Sequence, residues 1–164
     1  MTNLTDLILK DKIIAICRGI YGDDLLNLAS ALSRGGINLI EVTFDQSDPD
    51  NLKKTAEAIE LLNTHRPEMQ AGAGTVLSSA QLQAAKSAGA GFIISPNTDV
   101  AIINATKSFN LVSIPGAMTP SEIAIASQSG ADFVKLFPAA QLGAAYVKAV
   151  LAPLNNVKLL ATGG

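Results

Sequence analysis

The sequence predicts an α/β protein built on a parallel sheet, with the architecture of a TIM (β/α)8 barrel. Three observations lead there. Apolar segments of strand length recur along the 164 residues, with helical patterns between them. Those segments are continuously apolar and do not alternate, the mark of strands buried on both faces. Finally, a helix-strand stretch repeats: residues 78–92, SSAQLQAAKSAGAGF, align without gaps on 119–133, TPSEIAIASQSGADF.

In chain order the predicted strands are 13–17 (IIAIC), 38–43 (NLIEVT), 70–75 (QAGAGT), 91–95 (GFIIS), 111–115 (LVSIP), 132–137 (DFVKLF) and 157–162 (VKLLAT). Helical patterns lie between them, among them Asp24 to Arg34 and Leu52 to Leu62. Each copy of the repeat opens with a capping box, Ser78 with Gln81 and Thr119 with Glu122, the second with Pro120 at the first helical position. Each copy then closes its helix at a glycine, Gly89 or Gly130, before the next strand. Strand starts advance from 13 to 157 in six steps, a mean of 24 residues. Eight such units need roughly 195 residues, close to the lower limit of about 200 for this barrel. The expectation is one domain over residues 1–164, lacking its eighth unit at the C-terminus.

Composition narrows the function. With 48% hydrophobic and 16% charged residues, the chain has material for a sizeable core. A formal charge of −2 and the lack of a basic cluster argue against nucleic acid as a partner. Five Phe, two Tyr and no Trp leave no stacking platform for single strands. No apolar run approaches the roughly 20 residues that span a bilayer, and the start, Met-Thr-Asn-Leu-Thr-Asp, lacks the basic region of a signal peptide. A single cysteine, Cys17, excludes an internal disulfide and fits a reducing cytoplasm. One Cys and one His cannot build a structural zinc site, and no metal or other cofactor is expected.

Two charges stand out. Lys135 sits within Asp132-Phe133-Val134-Lys135-Leu136-Phe137-Pro138, and Glu41 within Asn38-Leu39-Ile40-Glu41-Val42-Thr43. Burying an ammonium is costly unless it is paired or gives up its proton. Desolvation favours the neutral amine, which is a nucleophile toward carbonyl carbon. Strand alternation puts Glu41 with Thr43 on one face, and Phe133, Lys135 and Phe137 on one face. Pattern alone leaves a catalytic pair and a structural ion pair both open.

Active sites of such barrels lie at the C-terminal strand ends. Those ends are Arg18, Thr43, Thr75, Ser95-Pro96, Pro115-Gly116, Phe137-Pro138 and Thr162-Gly163-Gly164. Arg18 either clamps a carboxylate or phosphate or is an ordinary surface arginine. Gly72-Ala73-Gly74-Thr75 is not a dinucleotide fingerprint, because Leu77 stands where the third glycine belongs. Its glycines either let a substrate approach, with Thr75 offering a hydroxyl, or serve a tight turn. Thr162-Gly163-Gly164 suits a phosphate cradle or any turn. Cys17 reads as a small core hydrophobe and His65 as a solvated connector residue.

Six ordered motifs together resemble the class I 2-keto-3-deoxy-6-phosphogluconate / 4-hydroxy-2-oxoglutarate aldolase family: Glu41-Val42-Thr43, Gly72-Ala73-Gly74-Thr75, Ile94-Ser95-Pro96, Ile114-Pro115-Gly116, Lys135-Leu136-Phe137-Pro138 and Thr162-Gly163-Gly164. The resemblance runs from Ile13 to Gly164. It implies a homotrimeric, cofactor-free barrel acting on a small keto acid. Lys135 matches the Schiff-base lysine and Glu41 the general acid/base. Thr75 matches a substrate contact, Pro96 belongs to the matched strand-end motifs, and Phe137 matches a residue packed beside the imine. Gly163 and Gly164, after Thr162, match part of the phosphate cradle. One position departs: where many members carry a carboxylate-binding arginine four residues after the glutamate, this chain has Asp45. Arg18 resembles an arginine of the galactonate-type branch and is the expected source of the missing charge.

The expected function is retro-aldol cleavage of a 2-keto-4-hydroxy acid to pyruvate and an aldehyde. A phosphosugar isomerase or epimerase on the same barrel, and a catalytically silent ligand-binding barrel, are the alternatives.

Overall fold

The computed structural model describes residues 3–163. They form two compact units, the first running to Ile93 and the second starting at Ile94.

The first unit contains α1 (Leu4–Asp11), β1 (Ala15–Cys17), α2 (Gly22–Arg34), β2 (Leu39–Thr43), α3 (Asn51–His65), β3 (Gln70–Gly74), α4 (Ser79–Ser87) and most of β4 (Phe92–Ile94). Its strands pair in parallel in the order β1-β2-β3-β4. The helices follow from spacing and charge. On α3, Thr55, Ala58, Ile59 and Leu62 are buried, the i, i+3, i+4, i+7 stripe of an amphipathic helix. On α2, Leu25 and Ala29 are buried one turn apart, with Asp23 and Asp24 in the first turn and Arg34 in the last, each on the favourable end of the helix dipole. All five residues of β2 are buried, as the continuous apolar run predicts for a strand covered on both faces.

The second unit contains α5 (Val100–Ser108), β5 (Val112–Ile114), β6 (Gly116–Ala117), α6 (Pro120–Gln128), β7 (Val134–Leu136), α7 (Ala139–Leu151) and β8 (Leu159–Ala161). Strands β6, β7 and β8 pair in parallel in that order. Their core gathers Ile123, Ala126, Val134, Leu136 and Val150. The strand predicted over 111–115 is interrupted at Pro115, which has no N–H to donate. Pairing resumes at β6, and the Pro115 carbonyl accepts from the Lys135 N–H at 2.8 Å. Helix α7 is broken at Gly143, whose φ of 74° is left-handed.

The two copies of the repeat fold alike. Helices α4 and α6 are nine residues each, and Gly89 (φ 83°) and Gly130 (φ 93°) supply the left-handed step that ends them. The capping box forms in full at Thr119 and Glu122. At Ser78 only half of it forms: the serine hydroxyl accepts from the Gln81 N–H, but the Gln81 side chain turns elsewhere. Among the described residues no helix is long and apolar enough to cross a membrane.

Candidate active site

Among the described residues, Glu41 and Lys135 are the only Asp, Glu, Lys or Arg side chains that are buried, at 3% and 7% exposure. Ionisable groups out of water are the expensive feature the sequence flagged, and the fold keeps both inside.

In the first unit Glu41 pairs with Gly72 across β2 and β3. Its carboxylate leans along the strand: a Cβ on Gly74 would lie 1.6 Å from Glu41 Oε1 and 2.3 Å from its Cδ. The carboxylate therefore overlies the backbone two residues further on, about 6.6 Å nearer the C-terminal end of β3. Gly74 is a glycine because that space belongs to Glu41. Gly72 answers to a different neighbour, since a Cβ there would lie 2.2 Å from the Phe92 ring. The tight-turn reading of this glycine motif does not hold, for both glycines make room for side chains and the left-handed turn residue is Thr75, with φ 57°. For a β-branched residue that conformation is strained.

Thr75 is half-buried and directly follows Gly74, at the end of the strand that Glu41 overlies. Thr43 is buried and its hydroxyl donates to the Cys17 carbonyl at 3.3 Å, tying the ends of β1 and β2. Cys17 is buried as expected, and burial pushes its thiol up. Arg18 is exposed just beyond β1. Asp45 is turned to its own connector, where Oδ1 accepts from the Ser47 N–H at 2.9 Å and the Ser47 hydroxyl at 2.7 Å. The Ser47 hydroxyl, then its N–H, hold that carboxyl below the usual range, with a smaller pull from the Arg18 guanidinium. Arg18 and Asp45 therefore share one end of this unit. His65 is exposed at the end of α3.

In the second unit Lys135 occupies the middle of β7, between Gly116 of β6 and Leu160 of β8. Its Nζ stands 5.0 Å from the centre of the Phe137 ring, within the range at which a ring face attracts a cation. Gly116 is packed tightly, for a Cβ there would lie 2.3 Å from the Pro96 carbonyl oxygen. The Thr98 hydroxyl donates to the Gly116 carbonyl at 2.7 Å and fixes the same crossing. Pro96 thus bears on the strand beside Lys135 through its backbone. Thr162 is buried and brackets the exit of β7: its N–H donates to the Leu136 carbonyl at 3.1 Å, and its carbonyl accepts from the Ala139 N–H at 2.9 Å. Between those two bonds lie Phe137 and Pro138, joined by a cis peptide. Gly163 has open space where a side chain would be. Gly164 lies outside the described residues.

The site residues thus fall into two groups by unit. Arg18, Glu41 and Thr75 belong to the first; Pro96, Lys135, Phe137, Thr162 and Gly163 belong to the second. Two residues escaped sequence reasoning. Gln46 and Gln81 hold the segment that follows β3. Gln81 stood out only as a helix cap, and Gln46 carried no signal in a polar connector.

Known proteins resemble the chain along almost its whole length. The family model "KDPG and KHG aldolase" matches residues 4–164. The 2-dehydro-3-deoxy-phosphogluconate aldolase of Haemophilus influenzae is 36% identical over 154 residues, covering 93% of this chain and 70% of that protein. A probable 2-dehydro-3-deoxy-6-phosphogalactonate aldolase of Rhizobium meliloti is 32% identical, covering 95% of this chain and 72% of that protein. The crystal structure of a KDPG aldolase from Legionella pneumophila, with pyruvate captured at low pH as a covalent carbinolamine intermediate, superposes with a TM-score of 0.85. That structure is 33% identical in sequence, and the match covers 99% of this chain and 77% of that one.

Proposed function

The chain belongs to the KDPG and KHG aldolase family, and from that premise we propose that it cleaves 2-keto-3-deoxy-6-phosphogluconate to pyruvate and glyceraldehyde 3-phosphate through a Schiff base on Lys135. The single observation that carries the reading is the buried lysine of β7, at 7% exposure beside an aromatic ring. A ring alone does not mark it, since the exposed Lys158 also lies over one, that of Phe133; what sets Lys135 apart is that its site is dry.

The amine of Lys135 adds to the C2 ketone, giving a carbinolamine that loses water to a protonated imine. The Phe137 ring face favours that cation, as it favours any positive charge held against it. Glu41, through a water, takes the C4 hydroxyl proton. The C3–C4 bond breaks, its electrons move into the imine to form an enamine, and C4 departs as the aldehyde. Protonation at C3 restores the imine, and water then releases pyruvate and the free lysine.

Further assignments belong to the same reading. Thr75 contacts the substrate, and Thr162 with Gly163 and Gly164 receives its phosphate. Arg18 supplies the carboxylate clamp, a role supported by its exposure and by the turning of Asp45 to Ser47. The reading also carries a (β/α)8 barrel, a homotrimer in the cytoplasm, and 4-hydroxy-2-oxoglutarate as a second substrate.

Borohydride reduction in the presence of pyruvate, followed by mass mapping, tests the mechanism. The expected result is one adduct, on Lys135, absent from Lys135→Met. No adduct, or one on another lysine, refutes it; an isomerase or epimerase on this fold would leave none. For Arg18→Ala the expected result is a raised KM for the keto acid, and an unchanged KM removes Arg18 from the site.

A further inference from the structure

The strained residue at the end of β3 is held by a relay of two side-chain amides. The Leu77 N–H donates to Gln81 Oε1 at 2.8 Å, Gln81 Nε2 donates to Gln46 Oε1 at 3.0 Å, and Gln46 Nε2 donates to the Thr75 carbonyl at 3.0 Å. Gln46 Nε2 also reaches the Phe44 carbonyl at 3.3 Å. The direction of the relay is set at both ends. A backbone N–H can only donate, so Gln81 presents oxygen to Leu77. A backbone carbonyl can only accept, so Gln46 presents nitrogen to Thr75. The middle bond then has the one polarity both ends require.

The relay thus grips Thr75 and Leu77 on either side of Val76, which is fully buried, while Gln81 is itself 5% exposed. A β-branched residue at φ 57° persists only where its surroundings over-determine it. Two fixed amides and a buried anchor do so here. Gln81 also leaves the capping box incomplete, since its side chain goes to the relay and not to the N-cap N–H that the Ser78 motif predicts.

We infer that Gln46 and Gln81 are positioning residues that hold Thr75 in its left-handed conformation, and so set its hydroxyl for the substrate. The inference rests on the assignment of Thr75 as a substrate contact in the proposed aldolase reaction.

A double-mutant cycle on aldol cleavage tests it. Gln46→Met and Gln81→Met keep the size of the side chain and remove the relay. Each is expected to lower kcat/KM about tenfold to a hundredfold, the scale of a displaced contact group. Thr75→Gly takes the same φ without strain and removes the hydroxyl, so it too is expected to be slow. In the Thr75→Gly background Gln46→Met is then expected to cost little more, about threefold or less, because nothing is left to position. Hydrogen exchange gives a readout independent of activity: the Leu77 amide is expected to lose protection in Gln81→Met while the amides of β2 keep theirs. Equal losses from Gln46→Met in both backgrounds, or a Leu77 amide unaffected by Gln81→Met, overturn the inference. An unchanged kcat/KM for Thr75→Gly also overturns it, by removing Thr75 from the reaction. The Lys135 adduct remains a separate test of the aldolase reading.

Discussion

Replacing Gly74 by alanine puts the sharpest demand on the proposed site. The added methyl would lie 1.6 Å from Glu41 Oε1, 2.3 Å from its Cδ and 2.5 Å from its Cγ. Carbon and oxygen need about 3.5 Å, so the carboxylate has to retreat by roughly 2 Å. A displacement of about 1 Å at a reacting group costs on the order of a hundredfold in rate. Removing a general acid/base costs about 10²–10⁴-fold. Gly74→Ala is therefore expected to lower kcat by at least about a hundredfold, roughly 2.7 kcal/mol of barrier. Because Glu41 is buried, moving it also strains the sheet, by about 1–3 kcal/mol of stability. Pyruvate release measured in a coupled assay gives kcat, and urea unfolding gives the stability, so the two effects separate. The decisive comparison is the double variant with Glu41→Gln. If the methyl acts by displacing the carboxylate, the double variant is no slower than Glu41→Gln alone. A single variant that retains more than about a third of the wild-type kcat, far above the loss expected of a displaced base, would refute the reasoning. So would a double variant far slower than Glu41→Gln.

Three other outcomes follow from the structure. Gly72→Ala drives a methyl to 2.2 Å from the Phe92 ring, so urea unfolding should show a loss of about 1–3 kcal/mol while the folded fraction keeps its kcat. Asp132 accepts from Lys107 Nζ at 2.6 Å and from the buried Ser113 N–H at 2.8 Å; Asp132→Ala strands that N–H and is expected to cost about 1–3 kcal/mol in the same assay, whereas a change within error would show that water replaces the carboxylate. Glu122 is held below the usual carboxylate range by the Thr119 hydroxyl and by the Met118 and Thr119 N–H groups. A folded-state pKa below the unfolded one gives stability that is present above the ordinary glutamate value of about 4.3 and is lost as pH falls through the folded one. The stability gap between wild type and Glu122→Gln should thus narrow on acidification below about pH 5, and a gap independent of pH would contradict the assignment.

The order of the elements was open to reading because its signals are local. Continuous apolar runs, an i, i+3, i+4 stripe on α3, and glycines that end α4 and α6 each express a relation among residues a few positions apart. Lys135 and Glu41 were visible for the same reason, as charges whose immediate neighbours on both sides are apolar. The limits were local too. Pro115 splits its strand although the apolar run continues, and Gln81 satisfies the spacing of a capping box while bonding to Leu77 and Gln46.

What each side chain faces depended on pairing between distant segments. The parallel register that sets Glu41 opposite Gly72 also lays its carboxylate over Gly74, and no spacing within Gly72-Ala73-Gly74-Thr75 contains that information. The left-handed Thr75 is likewise held by amides 29 residues before it and six after it. By itself the sequence determined the alternation of strands and helices, the family and the two unusual charges. The tertiary structure decided which glycine shelters the acid and which residue bears the strain. Burial preference is written along the chain, whereas steric exclusion arises only once strands from different parts of it lie about 4.8 Å apart.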